Sequence, residues 1–198
     1  MESIILASGS LQRQKAFKML GLPFSPAPAN IDESLCTHSD PMMLTRELAK
    51  LKTEKLLQKM KQKPSWIFGA DTVIAIKEKI IGKAIDREDA GRILRELSGN
   101  QHNVITSIAL YNVRKEKIDI RSCCSTVTFA ALSDADIEWY LDTNEWQGAA
   151  GAYRIQGIAG CFITRIEGCQ SNVTGLPLHE FYTMLKDNGY PFGACAVN

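Results

Sequence analysis

A chain of 198 residues, 45% hydrophobic and 23% charged, can bury a full core and is predicted to form a single domain over residues 1–198, built as two closely apposed lobes. A net charge of +1 offers no bulk attraction for nucleic acid or an acidic membrane, so a polyanion has to be held by locally placed cations. The N-terminal MESIILASGS has no basic segment leading into a long apolar one, and no run approaches the ~18 apolar residues of a membrane span, which predicts a cytoplasmic protein.

Along the chain, Ile4, Ile5 and Leu6 signal a short buried strand, Ser8-Gly9-Ser10 breaks it, and Ala16, Phe17, Met19 and Leu20 follow helical spacing up to Gly21. Strand, tight loop and helix in that order aim main-chain N–H groups and the positive end of a helix at one point, which suits a phosphate or carboxylate. Ser8 and Ser10 add hydroxyls, and Arg13 can lean back toward the loop. Ser10 as a plain cap and Arg13 as a solvated first-turn residue satisfy the same pattern. The loop lacks the Gly-Lys-Ser/Thr of a Walker A and the G-x-G-x-x-G of a dinucleotide oxidoreductase.

Phe24 to Asn30, interrupted by prolines, predicts an extended edge strand leading to Ile31-Asp32-Glu33. Pro41 opens a long helix to about Lys61, its apolar face drawn from Met43, Leu44, Leu48, Leu51, Leu56, Leu57 and Met60. Lys50, Lys52, Lys55, Lys59, Lys61 and Lys63 form its solvated side, from which one lysine can be turned into a cleft. Gly69 to Asp86 follows, with a hairpin of Trp66 to Ile76 and Ile80 to Lys83 about a Lys77-Glu78-Lys79 turn. Asp71 sits inside the apolar run, where a carboxylate needs a partner; Lys83 is the nearest cation in sequence, while turn hydrogen bonds are the structural alternative.

A helix capped by Asp86 ends at Leu97-Ser98-Gly99. His102 to Asn112 and Ile118 to Ala131 make a long hairpin, with His102 a structural hydrogen-bonder. Ser133 with Asp136 caps a helix carrying Ile137, Trp139, Tyr140 and Leu141; Trp139, Tyr140 and Trp146 stand as either core or dimer contacts. Gly148 to Gly160, rich in glycine and alanine, implies close backbone approach. Cys161 to Ile166 is a strand and Pro177 to Leu185 a last helix. The six cysteines, Cys36, Cys123, Cys124, Cys161, Cys169 and Cys195, contain no C-x-x-C and are expected to be reduced packing groups.

Anion donors beside carboxylates suit a metal-assisted phosphoryl or nucleotidyl hydrolase. LASGS with Arg13, Asp32-Glu33, GADTV, Gly82-Lys83, LSGNQHNVIT, STVTF, AGAYRIQG and NVTGLPL, in this order and spacing, resemble the Maf family of nucleoside triphosphate pyrophosphatases over residues 3 to 189. The resemblance implies an α/β fold with a mixed, elongated central sheet flanked by helices, two lobes with a cleft between them, and a homodimer. It implies cleavage of a nucleoside triphosphate between the α- and β-phosphates with a divalent metal, Mg²⁺, Mn²⁺ or Co²⁺, held by Glu33 and Asp71. Carried over by position, Asp71 accepts the proton of water, Glu33 is a metal or catalytic carboxylate, and Arg13, Lys52 and Lys83 neutralise the triphosphate with Ser8 and Ser10. Thr72 and Gln156 lie by the base.

Two positions depart from the family pattern. Gln12 stands where an arginine linked to substrate choice is usual, and Ala149 where a lysine is usual. Loss of a bidentate charge at position 12 weakens a phosphate or base contact by about 1–3 kcal/mol. The Ile155-Gln156-Gly157 sequence is similar to the branch acting on dTTP and UTP. The alternative of a different class is a nucleotide-binding regulatory protein, linked to septum formation, with little or no turnover.

Overall fold

The computed structural model describes residues 1–77 and 79–192, so Cys195 and the middle of the Lys77-Glu78-Lys79 turn lie outside the described residues. Seven strands form one mixed sheet: β1 (Ile4–Leu6), β2 (Phe24–Pro26), β3 (Trp66–Ile76), β4 (Lys79–Ile81), β5 (Gln101–Asn112), β6 (Lys117–Phe129) and β7 (Ile163–Glu167). The order is β2-β1-β3-β5-β6-β7, with β4 also on β3. Helices α1 (Leu11–Met19), α2 (Pro41–Lys59), α3 (Arg87–Leu97), α4 (Asp134–Asp142), α5 (Gln170–Val173) and α6 (Leu178–Asp187) flank it. None of the described helices is long and apolar enough to cross a membrane.

The split pairing of β3 creates the functional geography. One edge of β3 pairs continuously with β5 from Trp66↔Asn112 to Ala75↔Asn103. The other edge is shared: β1 runs parallel to residues 66–68, and β4 runs antiparallel to residues 74–76. Between them residues 69–73 face no strand, and a cleft opens there. Core packing divides on either side. Phe17, Phe68 and Phe181, with ring centroids 4.7–5.5 Å apart, anchor one cluster under α1 and α6, while Leu94, Val127, Phe129, Tyr140 and Phe162 centre another under α3 and α4.

Local signals in the sequence account for the element ends. Asp86 accepts the Asp89 N–H at the start of α3, and Ser133 and Asp136 form a reciprocal capping box on α4. Asp40 caps α2, with Pro41 in its first turn. Tertiary packing moves other boundaries. The edge strand β2 keeps three residues of the predicted seven, and the last strand begins at Ile163 because residues 158–162 coil into a 3₁₀ turn.

The buried face of α2 is another correction. Thr45, Leu48, Ala49, Thr53 and Leu56 face the sheet, while Met43 is 51% exposed. Small residues line this face because α2 crosses β3 at Gly69, where an added Cβ would collide with Thr53 Oγ1 and lie 2.6 Å from the Ala49 carbonyl oxygen. Tyr140 and Trp146 belong to the core, and of the three named aromatics Trp139 is the exposed one. The five described cysteines are free; Cys36, Cys123 and Cys169 are half-buried and Cys124 and Cys161 exposed, so none is a fully buried packing group.

Candidate active site

A cleft of about 810 Å³ lies at the gap in the edge of β3. The loop after β1, the 3₁₀ turn at Glu33–Leu35, α2, β3, Lys83 beyond β4, and the segments around Ala150 and Thr174 all contribute to it. Ser8, Ser10, Gln12, Arg13, Glu33, Lys52, Asp71, Thr72, Lys83 and Gln156, each singled out from the sequence, line this one space. Ala149 is buried beside it and does not line it, whereas Gln12 does.

Lys52 is the charged centre. Its Nζ lies 2.6 Å from Asp71 Oδ1 and 2.7 Å from Glu33 Oε1. The partner of Asp71 is therefore Lys52 and not Lys83, the nearer cation in sequence, because the close crossing of α2 at Gly69 brings that helix over the strand. Lys83 stays exposed, tied through its backbone bridge to Ala150, and its charge acts on Glu33. Burial pushes the Asp71 carboxyl above its ordinary value against the pull of Lys52 and Arg13. Partial burial works to raise Glu33 too, yet Lys52, Lys83 and Arg13 together hold it below its usual range. Two carboxylates in one cleft thus carry opposite shifts. Asp32 takes no part in the cleft; it accepts the Ser34 N–H and caps the 3₁₀ turn that presents Glu33.

Arg13 is 8% exposed and points inward. Its Nε donates to the Gly175 carbonyl, Nη1 to Ser8 Oγ and the Ala70 carbonyl, and Nη2 to Thr72 Oγ1. Four of its five N–H groups are committed to the protein, so toward an anion it acts mainly through its charge. The Ala70 carbonyl it satisfies belongs to the stretch of β3 that has no strand partner on this edge. Ser8 Oγ accepts from Arg13 and from the Ser10 N–H, each at 3.2 Å, which leaves its own proton free to donate into the cleft. Ser10 accepts the Arg13 N–H as the cap of α1.

Beside this polar end the wall is apolar, formed by Ile74, Val104, Ala150, Tyr153 and Val173. Gly151, at φ +66°, lets the chain pass over Ile74 there. Tyr153 is held from behind by His102, whose Nε2 is 2.8 Å from the phenol oxygen in the buried space next to Phe129. His102 is thus structural; burial lowers it to about 4. Val173 and Thr174 come from α5 and its C-cap, which sequence reasoning left without a role although NVTGLPL was recognisable. Thr106 and Asn172, which bond to the floor of the cleft, were also missed, since only the strand register brings them there.

A metal has a possible place. Glu33 and Asp71 both reach Lys52 Nζ, so their oxygens lie within two hydrogen-bond lengths of each other. Among the described residues no cluster of three or more His, Cys, Asp or Glu side chains stands ready to cage an ion. Two carboxylates fit a hard cation of the magnesium class, which completes its shell with phosphate oxygens and water, and do not fit a closed zinc site.

Comparison with known proteins assigns the chain to a family. The profile of a family described as Maf-like protein matches residues 3–188. A dTTP/UTP pyrophosphatase of Clostridium botulinum is 38% identical over 191 residues, covering 96% of this chain and 98% of its own. A protein of the same name from Pelotomaculum thermopropionicum is 37% identical over 190 residues, covering 96% and 98%. Among solved structures, the Staphylococcus aureus Ham1 protein matches with a TM-score of 0.44 at 12% identity, covering 65% of this chain and 72% of its own, and nothing functional rests on that likeness.

Proposed function

We propose, from the premise that the chain belongs to the Maf-like protein family, that it hydrolyses dTTP and UTP between the α- and β-phosphates to release a nucleoside monophosphate and pyrophosphate. The observation that carries this reading is Lys52 held between Glu33 and a buried Asp71, in one cleft with the serine loop that opens α1. Such a site combines an anion cradle with a carboxylate raised toward basicity. Those are the two things that hydrolysis of a phosphoanhydride requires.

In this mechanism the Ser8 hydroxyl, the loop N–H groups, Lys52 and Lys83 bind the phosphate chain, with Arg13 adding positive potential from behind. Asp71 orients water and takes its proton, an exchange favoured by the burial that already destabilises its charged form. Charge builds on the departing pyrophosphate, and fixed cations gain strength as it does so. A divalent ion, Mg²⁺, Mn²⁺ or Co²⁺, held by Glu33 and Asp71 would supply acidification of water and neutralisation of phosphate charge. Gln156, exposed in the cleft lining and carrying both donor and acceptor, and Thr72 read the base against the apolar wall.

The test is pyrophosphate release from a panel of standard and modified triphosphates, with and without each metal, for the wild type and Asp71→Asn. Release from dTTP or UTP that needs metal and is lost in the variant is the expected outcome. Tight nucleotide binding without release would instead support a regulatory protein, a reading favoured by neutral Gln12 in the cleft.

A further inference from the structure

Most arginines of this chain are matched to acids. Six of the nine stand in ion pairs. Among the described residues Arg46, Arg13 and Arg154 make none; Arg46 donates to Ser122 Oγ, while Arg13 and Arg154 both line the cleft.

The two cleft arginines differ in what they have left to give. Arg13 is buried, with four of its five N–H groups committed to the protein. Arg154 is half-buried; its Nε donates to the Glu145 carbonyl at 2.9 Å and its Nη2 to the Gln147 carbonyl at 2.6 Å. Those bonds fix the plane of the guanidinium and use two of its five N–H groups, so both on Nη1 and one on Nη2 remain. The acid of the same loop does not claim them. Glu145 Oε2 accepts the Ile158 N–H at 2.9 Å, and its carboxylate packs against Gly157. A guanidinium held by main-chain carbonyls in the lining of a cleft, with one edge of its fork free, is built to receive an oxyanion through parallel bonds.

Position along the cleft says which oxyanion. Ala150 is bridged to Lys83, and the Gly151 N–H donates to the Gly82 carbonyl at 2.8 Å, so the segment before Arg154 is stitched to the one that carries Lys83. A Cβ built on Gly148 would lie 4.0 Å from Arg154 Nη2, which sets the guanidinium at a residue two positions from that bridge. Neither Lys83 nor Arg154 pairs with Asp71 or Glu33, the partners of Lys52. The cleft thus has one lysine at its carboxylates and two further cations on joined segments of its rim.

We propose that Arg154 is a phosphate-binding residue, which with Lys83 grips the β- and γ-phosphates, the part of a triphosphate that departs as pyrophosphate. The inference rests on the hydrolase reading above. A fixed fork beside a lysine meets charge that grows as the α–β bond breaks, so it acts on the leaving group and not on the attacking water. It also makes affinity depend on the number of phosphates. A residue that reads the base or only braces its own loop does not do that.

The experiment measures dissociation constants for α,β-methylene-UTP and for UMP, with Mg²⁺ present, using wild type, Arg154→Gln and Arg154→Lys. Arg154→Gln is expected to weaken the triphosphate analogue about tenfold or more, the value of a charge-assisted hydrogen bond, and UMP less than about twofold. Arg154→Lys, which keeps the charge and loses the fork, falls between wild type and Arg154→Gln. Equal weakening of both ligands overturns the proposal, since that is what a lost base contact or a slackened loop produces. Unchanged binding of the analogue overturns it too. If Arg154→Gln does not fold, the wild type decides alone. Modification of Arg154 by phenylglyoxal, read by peptide mass spectrometry, is expected to be blocked by the analogue and by inorganic pyrophosphate but not by UMP. Protection by UMP as strong as by pyrophosphate, or protection by neither, refutes the assignment. Pyrophosphate release from UTP itself is scored separately: its absence sinks the hydrolase reading, while the affinities still decide whether Arg154 holds phosphate. Binding of neither ligand by the wild type overturns both.

Discussion

Replacing Gly69 with alanine tests how the site is assembled. The new Cβ meets Thr53 Oγ1 and the Ala49 carbonyl oxygen, the latter at 2.6 Å against the 3.4 Å where ordinary contact begins, so α2 has to retreat by about 0.8 Å. The Ala49 oxygen is helix backbone and cannot swing aside, which makes the helix move as a body. Lys52 lies in the same turn, and the same retreat stretches its 2.6 Å bond to Asp71 past the range of a strong charge-assisted hydrogen bond. Overpacking of this kind costs about 1–3 kcal/mol, and the lower entropy of unfolded alanine returns about 0.4–1 kcal/mol. The expected net loss is about 1–2 kcal/mol in urea denaturation, with pyrophosphate release reduced about tenfold or more. Adding Thr53→Ala removes one of the two clashes and leaves the backbone one, so the double variant stays impaired. A Gly69→Ala protein with wild-type stability and turnover, or a double variant fully restored, would refute the close approach of α2 as the device that places Lys52.

Removing the lysine itself, as Lys52→Met, is expected to lower turnover by about 10²–10³ through loss of a fixed cation at the phosphates. The acidic limb of the pH–rate profile should also move upward, because burial then raises Asp71 with its main opposing charge gone; an unmoved profile would mean that Lys52 does not control that carboxylate. His102 sets a second pH dependence. Its folded value of about 4 lies below the ordinary 6.5, so the unfolded chain binds the proton more readily. Its contribution is complete above pH 6.5 and declines as pH falls toward 4, by about 1.4 kcal/mol per unit and about 3 kcal/mol in all. Denaturation of wild type and His102→Phe at pH 7 and pH 4.5 checks this: the variant should lose markedly less stability between the two, and parallel losses would contradict a buried neutral imidazole.

Much of the local structure was legible in the chain. Capping by Asp86 and by Ser133 with Asp136, the two long hairpin strands and the strand-loop-helix opening depend on residues a few positions apart, and spacing alone reveals them. The motif set likewise pointed to Asp71, Glu33, Ser8 and Gln156 as members of one site, since types and order survive without coordinates. The same motifs marked Lys52 for the cleft, but sequence did not reveal that this lysine, and not Lys83, would meet Asp71. That choice depends on the depth at which a helix crosses a strand, set by the missing side chain of Gly69 and the small Ala49 and Thr53 against it.

Arg13 makes the same distinction. Its position after the serine loop marked it for the cleft, yet three of its four acceptors come from β3 and the Gly175 turn, 57 to 162 residues away, and with Ser8 they turn most of its donors toward the protein. The pairing of Thr72 with Thr106 is a matter of register, in which a slip of either strand by one residue would send that strand's threonine to the other face. By itself the sequence determined the elements, their caps and the chemical inventory of the site, because these follow from neighbours along the chain. Only the tertiary structure decided which cation pairs with which carboxylate and which acceptors a buried arginine meets, because those depend on distances between segments that meet only when the sheet closes around the gap in β3.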